Sequence, residues 1–171
     1  MIRVIPPGAH RILDIGCGEG ATGQYLREHG RAYYVVGIEL NKNAAARAIK
    51  YLDRVIEGDL EELSLEGPVL EPCSFDFILC GDVIEHLKDP WKQLKRLSAY
   101  LKNNGRIILS GPNVRHWKVT VPLILAGEWN YTDSGLLDKT HMRFFTKKSI
   151  SRLLAETGYR IESCEPNLGH I

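Results

Sequence analysis

Short apolar runs alternate with stretches whose apolar positions recur at helical spacing, from Arg11 to about Ser163. Such alternation predicts a parallel sheet covered by helices on both faces, an α/β Rossmann-like doubly wound fold. Arg11–Ile15 is the first strand and runs into Gly16-Cys-Gly-Glu-Gly20, after which a helix continues through Leu26 and stops near Gly30. Tyr33–Ile38 forms a second buried strand, and Asn41 caps a helix with Ala44, Ala45, Ala48, Ile49 and Leu52 on one face. Arg54–Glu57 is a short third strand and Phe75–Cys80 a fourth. Asp89 as N-cap and Pro90 at the first helical position start the next helix, where a missing N–H costs nothing. Its stripe is Trp91, Leu94, Leu97 and Leu101, and Asn104-Gly105 ends it before a fifth strand, Arg106–Ser110. A last helix starts at the cap Thr146, buries Ile150, Leu153 and Leu154, and ends at Gly158, with Tyr159–Ser163 as a sixth strand.

Residues 114–145 interrupt this rhythm with two Trp, two His, two Arg, Tyr131, Phe144 and Phe145. A segment this long inside one domain is expected to be a lid or acceptor-binding insertion, and Trp117–Ala126 is apolar enough for a short helix. Phe144 and Phe145 are expected to anchor the insertion to the sheet edge.

Composition narrows the class. The 171 residues are 44% hydrophobic and 25% charged, with 22 basic against 21 acidic side chains, so a single soluble domain over 1–171 is expected. A net charge of +1 argues against a nucleic-acid-binding surface. No apolar run reaches the ~20 residues of a membrane span, and the first residues lack a signal-peptide core, so a cytoplasmic protein is expected. Cys17, Cys73, Cys80 and Cys164 form no C-x-x-C pair, which favours packed thiols in a reducing compartment over a metal or disulfide role.

The glycine turn brings backbone close to a ligand at the crevice where open α/β sheets bind. Read as G-x-G-x-x-A through Ala21, with Glu39 at the end of the second strand, it also satisfies a dinucleotide fingerprint. Charge separates the two cofactors. A dinucleotide presents a pyrophosphate there, whereas S-adenosylmethionine presents a sulfonium and an ammonium. Asp14 precedes the turn and Glu19 lies inside it. A carboxylate ~6 Å from a unit charge is worth about 3 kcal/mol at an effective dielectric of ~20, attractive to the cation and repulsive to the phosphate.

Leu13-Asp-Ile-Gly-Cys-Gly-Glu-Gly20, Gly37-Ile-Glu-Leu40, Glu57-Gly-Asp-Leu60 and Phe75-Asp-Phe-Ile-Leu-Cys-Gly-Asp-Val-Ile-Glu-His86 resemble, in order, the motifs of class I S-adenosylmethionine-dependent methyltransferases. His141-Met-Arg-Phe-Phe-Thr146 and the helix after it are similar to the subgroup near the ubiquinone-biosynthesis O-methyltransferases and the methionine-biosynthesis W-type proteins. The resemblance implies that Asp14 meets the methionine amine, that Gly16, Cys17 and Gly18 admit the methionyl portion, and that Glu39 grips both ribose hydroxyls. It further implies that Leu40 packs on the adenine, that Asp59 accepts from the adenine amine beside Leu60, and that Cys80 and Gly81 offer backbone near the methionine tail.

Methyl transfer from a sulfonium is an in-line displacement needing position and a dry site; a base enters when the acceptor is a hydroxyl or protonated amine. His86 and His141 are the candidates for that role, and Arg115, His116, Trp117, Trp129, Tyr131 and Arg143 for acceptor contacts. Asp82 and Glu85 are two acids without a clear further ligand, so no metal site is expected. The family fold also carries a seventh, antiparallel strand beside the fifth, which this sequence lacks or takes from elsewhere. An unpaired edge would admit a second copy, making a homodimer through the sheet edge the expected assembly. Two other readings stay open on sequence: an NAD(P)- or nucleotide-sugar-binding Rossmann enzyme, and a non-catalytic S-adenosylmethionine-binding module.

Overall fold

In strand β1 (Arg11–Ile15) successive side chains enter two different cores, because strand side chains alternate between the faces of a sheet. Leu13 and Ile15 join one cluster, and Ile12 joins the other. The computed structural model describes residues 2–166. The elements that follow β1 are α1 (Ala21–Glu28), β2 (Tyr34–Glu39), α2 (Lys42–Ala48), β3 (Arg54–Glu57), β4 (Phe75–Gly81), α3 (Pro90–Ser98), β5 (Leu101–Ser110), α4 (Trp117–Ala126) and α5 (Lys147–Glu156). The five described strands form one sheet in the order β3-β2-β1-β4-β5, and all four pairings are parallel.

Two apolar clusters cover the two faces. Leu13, Ile15, Val36, Ile38 and Ile78 pack with Leu94 and Leu97 of α3 and Leu153 of α5. Ile12, Val35, Phe77 and Leu79 pack with Leu26 of α1, Ala48 of α2 and Leu52 just beyond it. The doubly wound α/β class is therefore as expected. The order reverses direction between β1 and β4, and the carboxyl ends of these strands open a crevice at that switch point.

The helix starts follow the predicted chemistry. Asn41 accepts from the N–H groups of Asn43 and Ala44 at 3.0 and 3.1 Å, and Asp89 accepts from Lys92 at 2.9 Å. Thr146 and Ser149 form a reciprocal capping box at the start of α5.

Several sequence expectations are corrected. Helix α3 stops at Ser98, and Leu101 begins β5 instead of continuing the helical stripe. Asn104-Gly105 lies inside β5, where the register jumps from Phe75↔Leu101 to Phe77↔Arg106. The extra residues make a bulge, so a turn-forming pair sits within a strand. Trp91 is 37% exposed and donates its indole N–H to Glu156 at 2.7 Å, while Gln93 is buried in its place. Ile49 caps the end of α2 and is exposed, while Ala45 and Ala48 are the buried positions of the helix. Tyr159–Ser163 forms no strand: Ile161 is exposed, and the segment is held by side chains instead, with Tyr159 Oη donating to Leu94 O at 2.8 Å and Arg106 bonded to Glu162.

The insertion holds the expected helix α4, capped by His116, whose ring accepts from Lys118 N–H. Of its residues only Val119 is buried; Ile124 and Leu125 are about four-fifths exposed. Phe145 is buried and its carbonyl accepts from Val114 at 3.0 Å, so it anchors the insertion as expected, whereas Phe144 packs edge-on against Trp129.

Candidate active site

The turn after β1 is built by backbone hydrogen bonds. Gly16 and Cys17 both donate to Ile38 O at the end of β2, and Gly20 closes on Cys17 O. Gly16 has φ of 67°, and a Cβ there would stand 2.7 Å from Val83 Cγ2. Only glycine accepts both conditions. Gly18 donates its N–H to Glu39 Oε2 at 2.8 Å, and the other Glu39 oxygen accepts from Asn41 at 2.7 Å. Glu39 is thereby fixed between the turn and the start of α2, with remaining acceptor capacity on each oxygen.

A cleft of about 340 Å³ opens over these groups, lined by Gly16, Glu39, Leu40, Asp59, Leu60 and Gly81 among the expected cofactor residues. Leu40 is 68% exposed and offers a free apolar face. Asp59 accepts from Glu61 N–H through Oδ1, which orients the carboxylate. A larger hollow of about 450 Å³ around Cys73, Asp76 and Lys102 lies at the opposite ends of β4 and β5 and shares none of these residues.

Asp14 is not among the residues lining the cleft; it is buried in β1, with Oδ2 unpartnered. Burial, with the Glu39 carboxylate second, pushes its pKa up to about 7. Glu19 does not join this group, because it turns outward and pairs with Arg47 of α2 at 2.8 Å. Cys17 and Cys80 are buried, the former with its sulfur against Gly37, and neither they nor Gly18 are among the residues lining the cleft. Burial raises both thiols, Cys17 to about 12, with Asp14 adding to the effect in each.

Beyond Gly81 the chain turns through Asp82, a non-glycine residue at φ of 52°, into a short turn Ile84–His86. Glu85 is fully buried and neither carboxylate oxygen finds a partner; burial above all lifts its pKa to about 7. Glu85, His86 and His141 bring one ligand atom each within 4.8 Å of one another. The two imidazoles meet edge-on at 4.8 Å, and burial followed by His86 lowers the pKa of His141. Glu85 O accepts from Met142 and Arg143 at 2.8 and 2.9 Å, which clamps the insertion onto this loop. His141 arrives from the insertion to join Glu85 and His86, so one carboxylate and two imidazoles, without Asp82, are the groups here that could hold a metal ion.

The model of a family described as a methyltransferase domain matches residues 4–164. The chain belongs to this methyltransferase-domain family. It is 27% identical to the ubiquinone biosynthesis O-methyltransferase of Aeromonas salmonicida over 84% of its own length and 60% of the relative's. It is 26% identical to that of Neisseria meningitidis serogroup A over 94% and 68%. The chain therefore spans roughly two thirds or less of these curated relatives. Among solved structures it is similar to an S-adenosylmethionine-dependent methyltransferase from Archaeoglobus fulgidus, with TM-score 0.68 at 22% identity, covering 93% of this chain and 64% of that one. A second, from Mesorhizobium loti, gives 0.69 at 21% over 95% and 80%. These likenesses show the fold.

Sequence reasoning gave no site role to seven cleft residues of this methyltransferase domain: Ile15, Ile38, Gly58, Glu61, Val83, Leu87 and Lys88. Ile15, Ile38, Gly58 and Val83 lie within the quoted motifs but carry no polar side chain, and Leu87 lies outside them. Glu61 had a signal in principle, an acid two positions after Asp59, but its role depends on a loop 27 residues away.

Proposed function

We propose that the chain binds S-adenosylmethionine in the cleft and transfers its methyl group by in-line displacement to a hydroxyl oxygen of a small acceptor, releasing S-adenosylhomocysteine. The observation that carries this reading is the sign of the cleft: Glu39, Asp59, Glu61 and Asp82 line it against the single cation Lys88, with Asp14 buried in β1. This is a site for a cationic guest and a poor one for a pyrophosphate. Asp14 receives the ammonium, Glu39 the ribose hydroxyls and Asp59 the adenine amine, while Gly16, Gly18 and Gly81 admit the methionyl portion.

One of Glu85, His86 and His141 takes the proton of the acceptor hydroxyl as its oxygen attacks the sulfonium methyl and the carbon–sulfur bond breaks to leave S-adenosylhomocysteine. A buried carboxylate without partners, facing two imidazoles, is arranged to accept a proton or to ligate a cation. Glu85, His86 and His141 would hold a divalent ion, and such an ion, when bound, lowers the pKa of a coordinated hydroxyl. Helix α4 and the segment through Arg143 form the acceptor side of the site, and the relatives' printed names support an oxygen acceptor.

The test is calorimetric titration with S-adenosylhomocysteine and NAD, followed by assay of methyl release to catechols and amines. Tight binding of the first, none of the second and transfer to catechol oxygen are expected; preference for NAD ends the reading. Transfer to amines alone ends the oxygen assignment.

Four free cysteines fit a reducing, cytoplasmic setting, and no helix among the described residues is long and apolar enough to cross a membrane. The outer edge of β5 has no strand partner among the described residues and serves as the interface for a second copy. A monomeric mass by light scattering at high concentration would count against that assembly.

A further inference from the structure

Glu61 is not a motif residue, yet its carboxylate makes two backbone hydrogen bonds to another loop. Oε2 accepts from Lys88 N–H at 3.0 Å and Oε1 from Asp89 N–H at 2.9 Å, at the start of α3 where helix N–H groups point outward. Its own N–H is held by Asp59 Oδ1 at 2.8 Å. One unbroken path therefore runs from Asp59, through Glu61, to the loop that carries Glu85 and His86. The path continues into the insertion, since Arg143 donates its guanidinium to Lys88 O and its N–H to Glu85 O. Arg96 fixes the near side by donating to Leu60 O and Leu63 O.

We propose that Glu61 is a positioning residue that transmits filling of the adenine end of the cleft to the placement of Glu85, His86 and the clamped insertion. It touches neither reacting atom. Its carboxylate sets where the 82–89 loop rests relative to Asp59, and the Glu85 carbonyl then sets where Met142 and Arg143 rest. The loop turns at Asp82, which holds a left-handed φ of 52°. The donors are main-chain N–H groups, so the contact depends on the Glu61 carboxylate and not on the side chains at 88 and 89. This inference rests on the adenosyl cofactor occupying the cleft.

The experiment is amide hydrogen exchange by NMR on the whole chain, with S-adenosylhomocysteine as the probe, for the native protein, Glu61→Ala and Glu61→Gln. At ligand about 100 times its dissociation constant, any opening that must precede release is suppressed about 100-fold. In the native protein the amides of Lys88, Asp89, Met142 and Arg143 are expected to slow together toward that limit. Glu61→Ala is titrated first and supplied with ligand at the same multiple of its own dissociation constant, where Met142 and Arg143 are expected to slow by less than about 3-fold. Glu61→Gln keeps the shape and one acceptor oxygen and is expected to fall between, which guards against an Ala variant that fails to fold. Equal slowing at Met142 and Arg143 in all three proteins, or none in a native protein that binds the ligand, overturns the role of Glu61. A native protein that does not bind the ligand overturns the cofactor assignment itself.

Discussion

Glu39 Oε2 accepts the N–H of Gly18 at 2.8 Å, so the carboxylate at the end of β2 is locked to the glycine turn before any ligand arrives. A side chain already fixed loses little freedom on binding, and the ribose hydroxyls meet acceptors in place. Glu39→Ala removes two bonds to a charged acceptor, each worth about 1.5–3 kcal/mol, and is expected to weaken S-adenosylhomocysteine by at least ~100-fold. Calorimetry reads it, and an affinity within threefold of native would remove Glu39 from the site.

Gly16→Ala tests the turn itself. The φ of 67° and the 2.7 Å approach to Val83 both oppose a Cβ. A loss of about 1–3 kcal/mol in stability is expected, together with loss of cofactor binding. Thermal melts with and without ligand separate the two effects; a variant that melts and binds like the native protein would show that the turn tolerates displacement.

Asp14 makes the free protein pH-sensitive. Its pKa rises from an ordinary 3.8 to about 7 on folding, so its contribution is fully present at low pH and is lost as pH climbs through 7. Glu85 carries the same sign. The unliganded protein should lose on the order of 2–4 kcal/mol from Asp14 between pH 4 and pH 8, and Asp14→Asn should flatten that slope. Ligand affinity runs the other way, strengthening with pH through about 7 as the carboxylate forms for the ammonium. Denaturant melts and calorimetry across the range check both signs.

Glu85→Gln separates binding from chemistry. With a pKa of about 7 and no partner for either oxygen, Glu85 must be deprotonated to take a proton, so the methylation rate should rise with pH through 7 in the native protein. The variant should lose about 10²–10⁴-fold in kcat and most of that pH rise, with S-adenosylhomocysteine affinity unchanged within about threefold. Chelator sensitivity of the native rate, absent in the variant's residual rate, would assign the cluster to cation binding.

Tyr159→Phe is the structural control. Deleting its hydroxyl leaves Leu94 O without that donor and should cost about 1–2 kcal/mol in denaturant unfolding while leaving cofactor affinity unchanged. A large affinity loss would mean that the contact of Tyr159 with α3 reaches further into the site than its geometry indicates.

The sequence by itself determined the strands β1 to β4, the caps Asn41, Asp89 and Thr146, and the cleft groups Gly16, Glu39 and Asp59, because these depend on local spacing and on residues at strand ends. Tertiary structure decided the rest. It turned Glu19 away toward Arg47, folded Asn104-Gly105 into a bulge, and left Tyr159–Ser163 without a ladder. It also brought His141 across 55 residues to Glu85 and His86, and stretched Glu61 to Lys88. Periodicity records which face of its own element a residue occupies; which other segment meets that face is set by packing between elements far apart in the chain, and that is where the acid, the imidazoles and the strut find one another.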